Sequence, residues 1–168
     1  MQDHQPDLLM FASDVAPGTT LRDIVDPDSG LRLLVTRGSY AFCAYVGVQA
    51  DHSLAGLEDL RFDCHHGVNW SQWGEPDSPW AEGWYWWGWD YGHASDHVDF
   101  EGSVPDDAPV EVRQAMARFQ ALLAAGPLRR RTKNWTLGEV VEDGLDVLME
   151  LKQALQHTEN LAALVMAR

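Results

Sequence analysis

An Asp-x-x-His-x-x-Asp series, Asp90, His93 and Asp96, closes the stretch GWYWWGWDYGHASD between Gly83 and Asp96. Four tryptophans and a tyrosine stand directly before it. Three-residue spacing puts the three polar side chains on one face if the segment makes a helical turn or two. Five of the seven histidines, His52, His65, His66, His93 and His97, fall between residues 52 and 97. If Arg61 to Trp70 and Gly83 to Asp90 pair as antiparallel strands, one pocket could hold His65, Asp90, His93 and Asp96. Imidazole nitrogens with carboxylate oxygens suit Zn²⁺, Mn²⁺ or Fe²⁺, and aromatic walls would exclude water. Without metal the same groups could serve as a His-Asp general acid and base pair, or as a structural polar network.

Seven of the eight tryptophans lie between Trp70 and Trp89. On a strand Tyr85, Trp87 and Trp89 share one face, and Trp84, Trp86, Gly88 and Asp90 the other. One face is expected to be core. The other could stack a base, a sugar or a cationic group, which makes Trp84 and Trp86 candidate ligand contacts; Trp89, on the opposite face, and His52 are further candidates. Gly88 would either leave room for a ligand or let the indoles pack tightly.

The elements that must position these residues divide the chain in two. Residues 1–30 read as an irregular polar leader broken by Pro17-Gly18, Pro27 and Ser29-Gly30. LRLLVT (31–36) and YAFCAYVGV (40–48) form a hairpin, with Phe42, Ala44, Val46 and Val48 on one face. Arg61 to Trp70 and Gly83 to Asp90 read as further strands, and SQWGEPDSPWAE between them as a loop. After Val104 the period becomes helical. Asp107 and Pro109 open a helix carrying Val112, Met116, Phe119 and Leu123, which Gly126-Pro127 stops. A second begins at a capping box, Thr136 and Glu139, and reaches about His157, with the tail Glu159 to Arg168 either continuing it or forming a short extra helix. Between them Arg129 to Lys133 is the only dense basic cluster, so Arg131 and Lys133 could contact an anionic ligand. The predicted class is α+β: one domain over 1–168, with an antiparallel sheet in the N-terminal two thirds (sheet and site in 31–100) covered by two helices in 104–168.

A formal charge of −14 disfavours nucleic acid and anionic membrane as partners. No Lys or Arg lies between Arg61 and Arg113. That negative middle attracts metal ions, cationic ligands or basic protein surfaces, or simply keeps the chain in solution. The acidic N-terminus lacks the basic region of a secretion signal and no apolar run suits a membrane span, so a cytoplasmic location is expected. Cys43 and Cys64 form no metal-binding or disulfide framework. They read as core thiols that could pair only if their strands do. Glycine-rich phosphate loops and a G-x-S-x-G elbow are absent.

Three blocks in order carry a resemblance: Tyr45-Val46-Gly47-Val48 followed by His52, then His65-His66-Gly67-Val68-Asn69-Trp70-Ser71, then Trp86 to Asp96. They resemble an uncharacterised family of small phage and prophage proteins with the pattern YVGVP-x-x-HP, VHGGLTF and WWFGFDCAHxGD. The likeness covers roughly residues 40 to 155 and singles out His52, His65, Gly67, Asp90, His93 and Asp96. This chain departs from the pattern at Gln49, Ser53, His66 and Tyr91; the last stands where the pattern has cysteine, which implies that no thiol is needed there. The resemblance implies a phage setting and no particular activity.

Two functions follow. One is an acidic binding protein whose Trp-lined His/Asp pocket captures a small molecule or a host protein surface, with counter-defence as a setting; exposed tryptophans could also serve homodimerisation. The other is a metal-dependent, phosphoesterase-like hydrolase in which His65, Asp90, His93 and Asp96 hold the ion and do the chemistry. A remaining carboxylate or His52 would take the proton, and Arg131 or Lys133 would contact the anion.

Overall fold

The computed structural model describes residues 15–126 and 132–166. Five strands, β1 (Thr20–Val25), β2 (Arg32–Arg37), β3 (Phe42–Gln49), β4 (Trp70–Trp73) and β5 (Trp84–Asp90), form one antiparallel sheet in the order β1-β2-β3-β5-β4. Two helices follow, α1 (Val110–Ala125) and α2 (Leu137–Met166). The α+β class is as the change of period predicts.

Alternation splits β5 between two cores. Tyr85, Trp87 and Trp89 join Leu33, Val35, Phe42, Ala44, Val46 and Val48, over which α2 lays Leu137, Val140, Val147, Leu148 and Leu151. Trp86 enters a smaller cluster on the opposite face with Leu34 and Tyr45, covered by Trp70, Trp80 and Ala81. Trp86, Trp87 and Trp89 are fully buried. At roughly 200 Å² per indole and about 25 cal/mol/Å², each contributes up to about 5 kcal/mol before chain entropy is set against it.

Two glycines set close approaches. A Cβ at Gly88 would run into the Tyr45 ring, so this glycine packs aromatics rather than leaving room for a ligand. A Cβ at Gly144 would lie 2.5 Å from Leu33 Cδ1, so α2 can rest directly on β2. α1 stands apart from the sheet. It buries no residue fully, and it holds the loop after the site through Gln120, which accepts from Phe100 N–H (3.1 Å) and donates to the Val98 carbonyl (3.1 Å).

Several expectations change. The stretch read as an irregular leader contains β1, an edge strand pinned to β2 by the Arg32–Asp23 ion pair at 2.6 Å; residues 1–14 lie outside the described ones. Arg61 to Val68 is not a strand. Its amides at Asp63 and His65 turn to Glu150 (3.2 Å) and Asp143 (3.5 Å) of α2 instead of to a neighbouring ladder. Besides β3, the strand that pairs with β5 is β4, which takes only Trp70 from the segment read as a strand and its other three residues from the segment read as a loop, with Trp70 opposite Gly88. No side chain caps α1, which starts after Pro109, while the Thr136–Glu139 box forms in both directions at 2.9 and 3.2 Å. α2 runs on past His157 to Met166.

One buried ion pair locks the sheet to the site loop. Arg37 Nη2 donates to Asp99 Oδ2 at 3.0 Å, both side chains being nearly inaccessible. Burial pulls the guanidinium's pKa down and Asp99 opposes that pull.

Candidate functional site

The site forms where β5 ends. Asp90 accepts from Gly92 N–H (2.8 Å) and from Asn69 Nδ2 (2.7 Å), and this fixes the exit of the strand. The chain then makes a tight turn rather than a helix, with Asp96 N–H donating to the His93 carbonyl at 2.8 Å. The turn folds the Asp96 carboxylate inward, where the residue is 5 % exposed. There it meets His65 Nε2 at 2.7 Å, Trp135 Nε1 at 2.9 Å and His93 N–H at 3.0 Å. Burial works against its charge. The bonds from His65, Trp135 and His93, with the charge of His65, outweigh burial and hold the pKa below the usual carboxylate value. Asp96 is thus a stable buried anion.

His65 is held on all sides. Its ring stacks on Tyr91 (centroids 5.1 Å, planes 1° apart) and meets Trp135 edge-on at 4.8 Å. Behind it Asp143 of α2 accepts from Tyr91 Oη (2.5 Å) and Trp89 Nε1 (3.1 Å). Burial first, then Asp143, push the Tyr91 phenol far up, so it stays neutral as a rigid backing for the imidazole. The next residue, His66, sits in the left-handed region at φ 56°, followed by Gly67 at φ 82°. A left-handed histidine costs on the order of 1 kcal/mol or more. That backbone carries the His66 ring onto His93, stacked at 4.1 Å between centroids.

Three imidazoles therefore converge. One ring nitrogen from each of His65, His66 and His93 lies within 4.8 Å of the others. His93 Nδ1 is buried with no hydrogen-bond partner, and it lies 3.6 Å from Asp96 Oδ2 and 3.9 Å from Asp90 Oδ1. An ion bound to histidine nitrogens at about 2.0–2.1 Å sets them about 3.3 Å apart, so closing the set around it takes side-chain shifts of about an ångström together with a turn of the stacked His66 and His93 rings that aims their in-plane lone pairs at one point. Asp96 would neutralise the ion and orient the His65 ring, as carboxylates behind metal-bound histidines do.

The four residues His65, Asp90, His93 and Asp96 are thus brought together, by a loop and a turn rather than by paired strands. His66, Trp135 and Asp143 were not read as site residues. The adjacency of His65 and His66 was a signal for the first; nothing local marks the other two. His52 is not in the cluster, its Nδ1 accepting from Leu54 N–H at 3.2 Å in the turn after β3. Trp86 and Trp89 offer no face to a ligand because both are buried in the cores. Trp84 is partly exposed, but Arg32 lies over its ring at 5.1 Å. Lys133 lies 3.4 Å from the Trp135 ring centre and 3.1 Å from Glu139, which occupies its charge; Arg131 lies outside the described residues. Both cysteines are free thiols, and burial raises Cys43 to about 11 and Cys64 to about 12.

A cleft of about 280 Å³ opens beside His93 and Asp96, walled by Val98, Phe100, Phe119 and Leu123. The expected tryptophan lining is replaced by these phenylalanine and aliphatic side chains. No helix among the described residues is long and apolar enough to cross a membrane. Comparison with protein-family models, with curated proteins and with solved structures finds no match for this chain.

Proposed function

We propose that this protein is a metal-dependent hydrolase whose ion is held by His65, His66 and His93. The observation that carries the reading is the convergence of three imidazole nitrogens within 4.8 Å beside a buried carboxylate. Three histidines with a position left open are the donor set of catalytic rather than structural zinc. When bound, such an ion supplies a water acidic enough to attack at neutral pH. The chain's own residues do the rest. Asp96 fixes His65 and balances charge, the Tyr91 and Trp135 rings shut water out from behind, and Asp90, at the partly exposed rim, is the carboxylate placed to take a proton.

Calorimetric titration of chelator-treated protein with Zn²⁺ or Mn²⁺ tests this. One ion per chain is expected, with affinity lowered at least tenfold in His93→Ala. An absence of binding, or equal binding by parent and variant, would overturn the reading. The cleft favours a second reading, metal-free capture of a small molecule, which a metal-independent ligand response of tryptophan fluorescence would support.

A further inference from the structure

The cleft beside the histidines has a chemical character of its own. Its interior is walled by Val98, Phe100, Phe119 and Leu123, with the Phe100 and Phe119 rings edge to face at 5.4 Å. Gln120, a polar side chain in that wall, has its amide oxygen and nitrogen engaged by Phe100 N–H and the Val98 carbonyl. No Lys or Arg is among the described lining residues, which include the Asp96 carboxyl. The described lining therefore offers a phosphate no cationic side chain. It shelters a short apolar group whose reactive end lies at His93. A volume of about 280 Å³ is near the lower end for small-molecule sites, roughly nine times the share of one water in the liquid.

Resting on the metal-centre reading, we infer that the substrate is a carboxylic ester with a compact apolar acyl chain, the chain lying in this cleft and the carbonyl at His93, the ion ligand that lines it. Water adds its oxygen to the carbonyl carbon and the acyl carbon–oxygen bond breaks. The leaving alkoxide takes one of the water's protons and departs as the alcohol, and the acid remains. No oxidant or other co-reactant is consumed. Phosphate monoesters, the substrates suggested by the basic cluster, are poor ones.

The test uses zinc-loaded full chain and p-nitrophenyl esters from acetyl to decanoyl, with p-nitrophenyl phosphate as the contrast. Expected is a kcat/KM that rises at least tenfold from acetyl to a maximum near butyryl or hexanoyl and then falls, with the phosphate ester turned over far more slowly. In Phe119→Trp, which narrows the cleft from a half-exposed position, the ratio of hexanoyl to acetyl turnover falls at least tenfold while zinc affinity stays within twofold. Leu123→Phe gives the same pattern from the adjoining turn. A neutral ketone of matching length should bind metal-free parent and not Phe119→Trp, a readout independent of turnover. Zinc binding with a flat acyl profile, or with faster phosphate hydrolysis, overturns the substrate inference alone. No zinc binding overturns the metal centre and this substrate with it.

Discussion

The tryptophan sheet and the histidine corner meet at Asp90 and are built on opposite terms. Along β5 successive residues alternate between two apolar cores, and the backbone is laddered by β3 along its whole length and by β4 from Tyr85 to Gly88. Six residues after Asp90 the described chain has no ladder beyond a single bridge between Asp96 and Lys133. It holds a left-handed histidine, three crowded imidazoles and a buried carboxylate. The sheet gains from burial and the corner spends part of that gain on charge and strain. Rigidity in the first is what lets the second keep an arrangement that it could not hold alone.

That contrast can be broken or sharpened by experiment. Trp87→Ala removes a fully buried indole whose Nε1 donates to the Leu57 carbonyl at 2.7 Å, and should cost about 3–5 kcal/mol in urea unfolding. A loss below about 1 kcal/mol would mean that the sheet does not carry the fold. Asp99→Ala strands the Arg37 guanidinium and should cost a comparable about 3–5 kcal/mol. Arg37→Met with Asp99→Leu should restore most of that stability; a double variant no better than Asp99→Ala would show that packing, not charge, is what Asp99 supplies.

His66→Gly separates the two regions most sharply. Glycine relieves the left-handed backbone, so stability should stay within about 1 kcal/mol of the parent while zinc affinity drops at least tenfold. A large stability loss with affinity retained would place His66 in the fold rather than at the ion.

The smallest effect concerns the tether of Lys152 to Asp26 and Asp28, at 2.9 and 3.0 Å, which ties α2 to the β1–β2 turn. The bond from Ser29, then Lys152, lowers Asp26 to about 2, and Asp26 then Asp28 raise Lys152 above its ordinary value. The carboxylate's contribution is present above its unfolded value near 3.8 and is lost as pH falls through about 2. The amine's contribution is present below 10.5 and is lost as pH rises through its raised folded value. Lys152→Met should therefore lower the urea midpoint slightly and equally from pH 5 to about pH 9, with the difference closing below about pH 4. A difference that grows in acid would rule out the tether as its source.

What could be read in advance was what depends on near neighbours. Thr136 and Glu139 announce a helix start because each bonds the other's amide, and the alternation in β5 sorts its tryptophans by face. Arg61 to Trp70 misled because alternation there looks like a strand, whereas its amides are answered by Asp143 and Glu150, some eighty residues on. Trp86 reads as a ligand contact if one face of the sheet is left open; here both faces are covered, which buries Trp86 on one and Trp89 on the other. Trp135 stands about forty residues from the site segment in sequence, and only the fold shows its indole bonded to Asp96.

The short bridge at Lys133 has a consequence for how the protein is made. His97 N–H donates to the Lys133 carbonyl and Lys133 N–H to the Ser95 carbonyl, both at 2.9 Å, while Trp135 and Asp143 complete the surroundings of His65. The histidines leave the ribosome long before these partners do. A nascent chain can ladder its sheet early, yet it carries no finished corner until α2 has emerged.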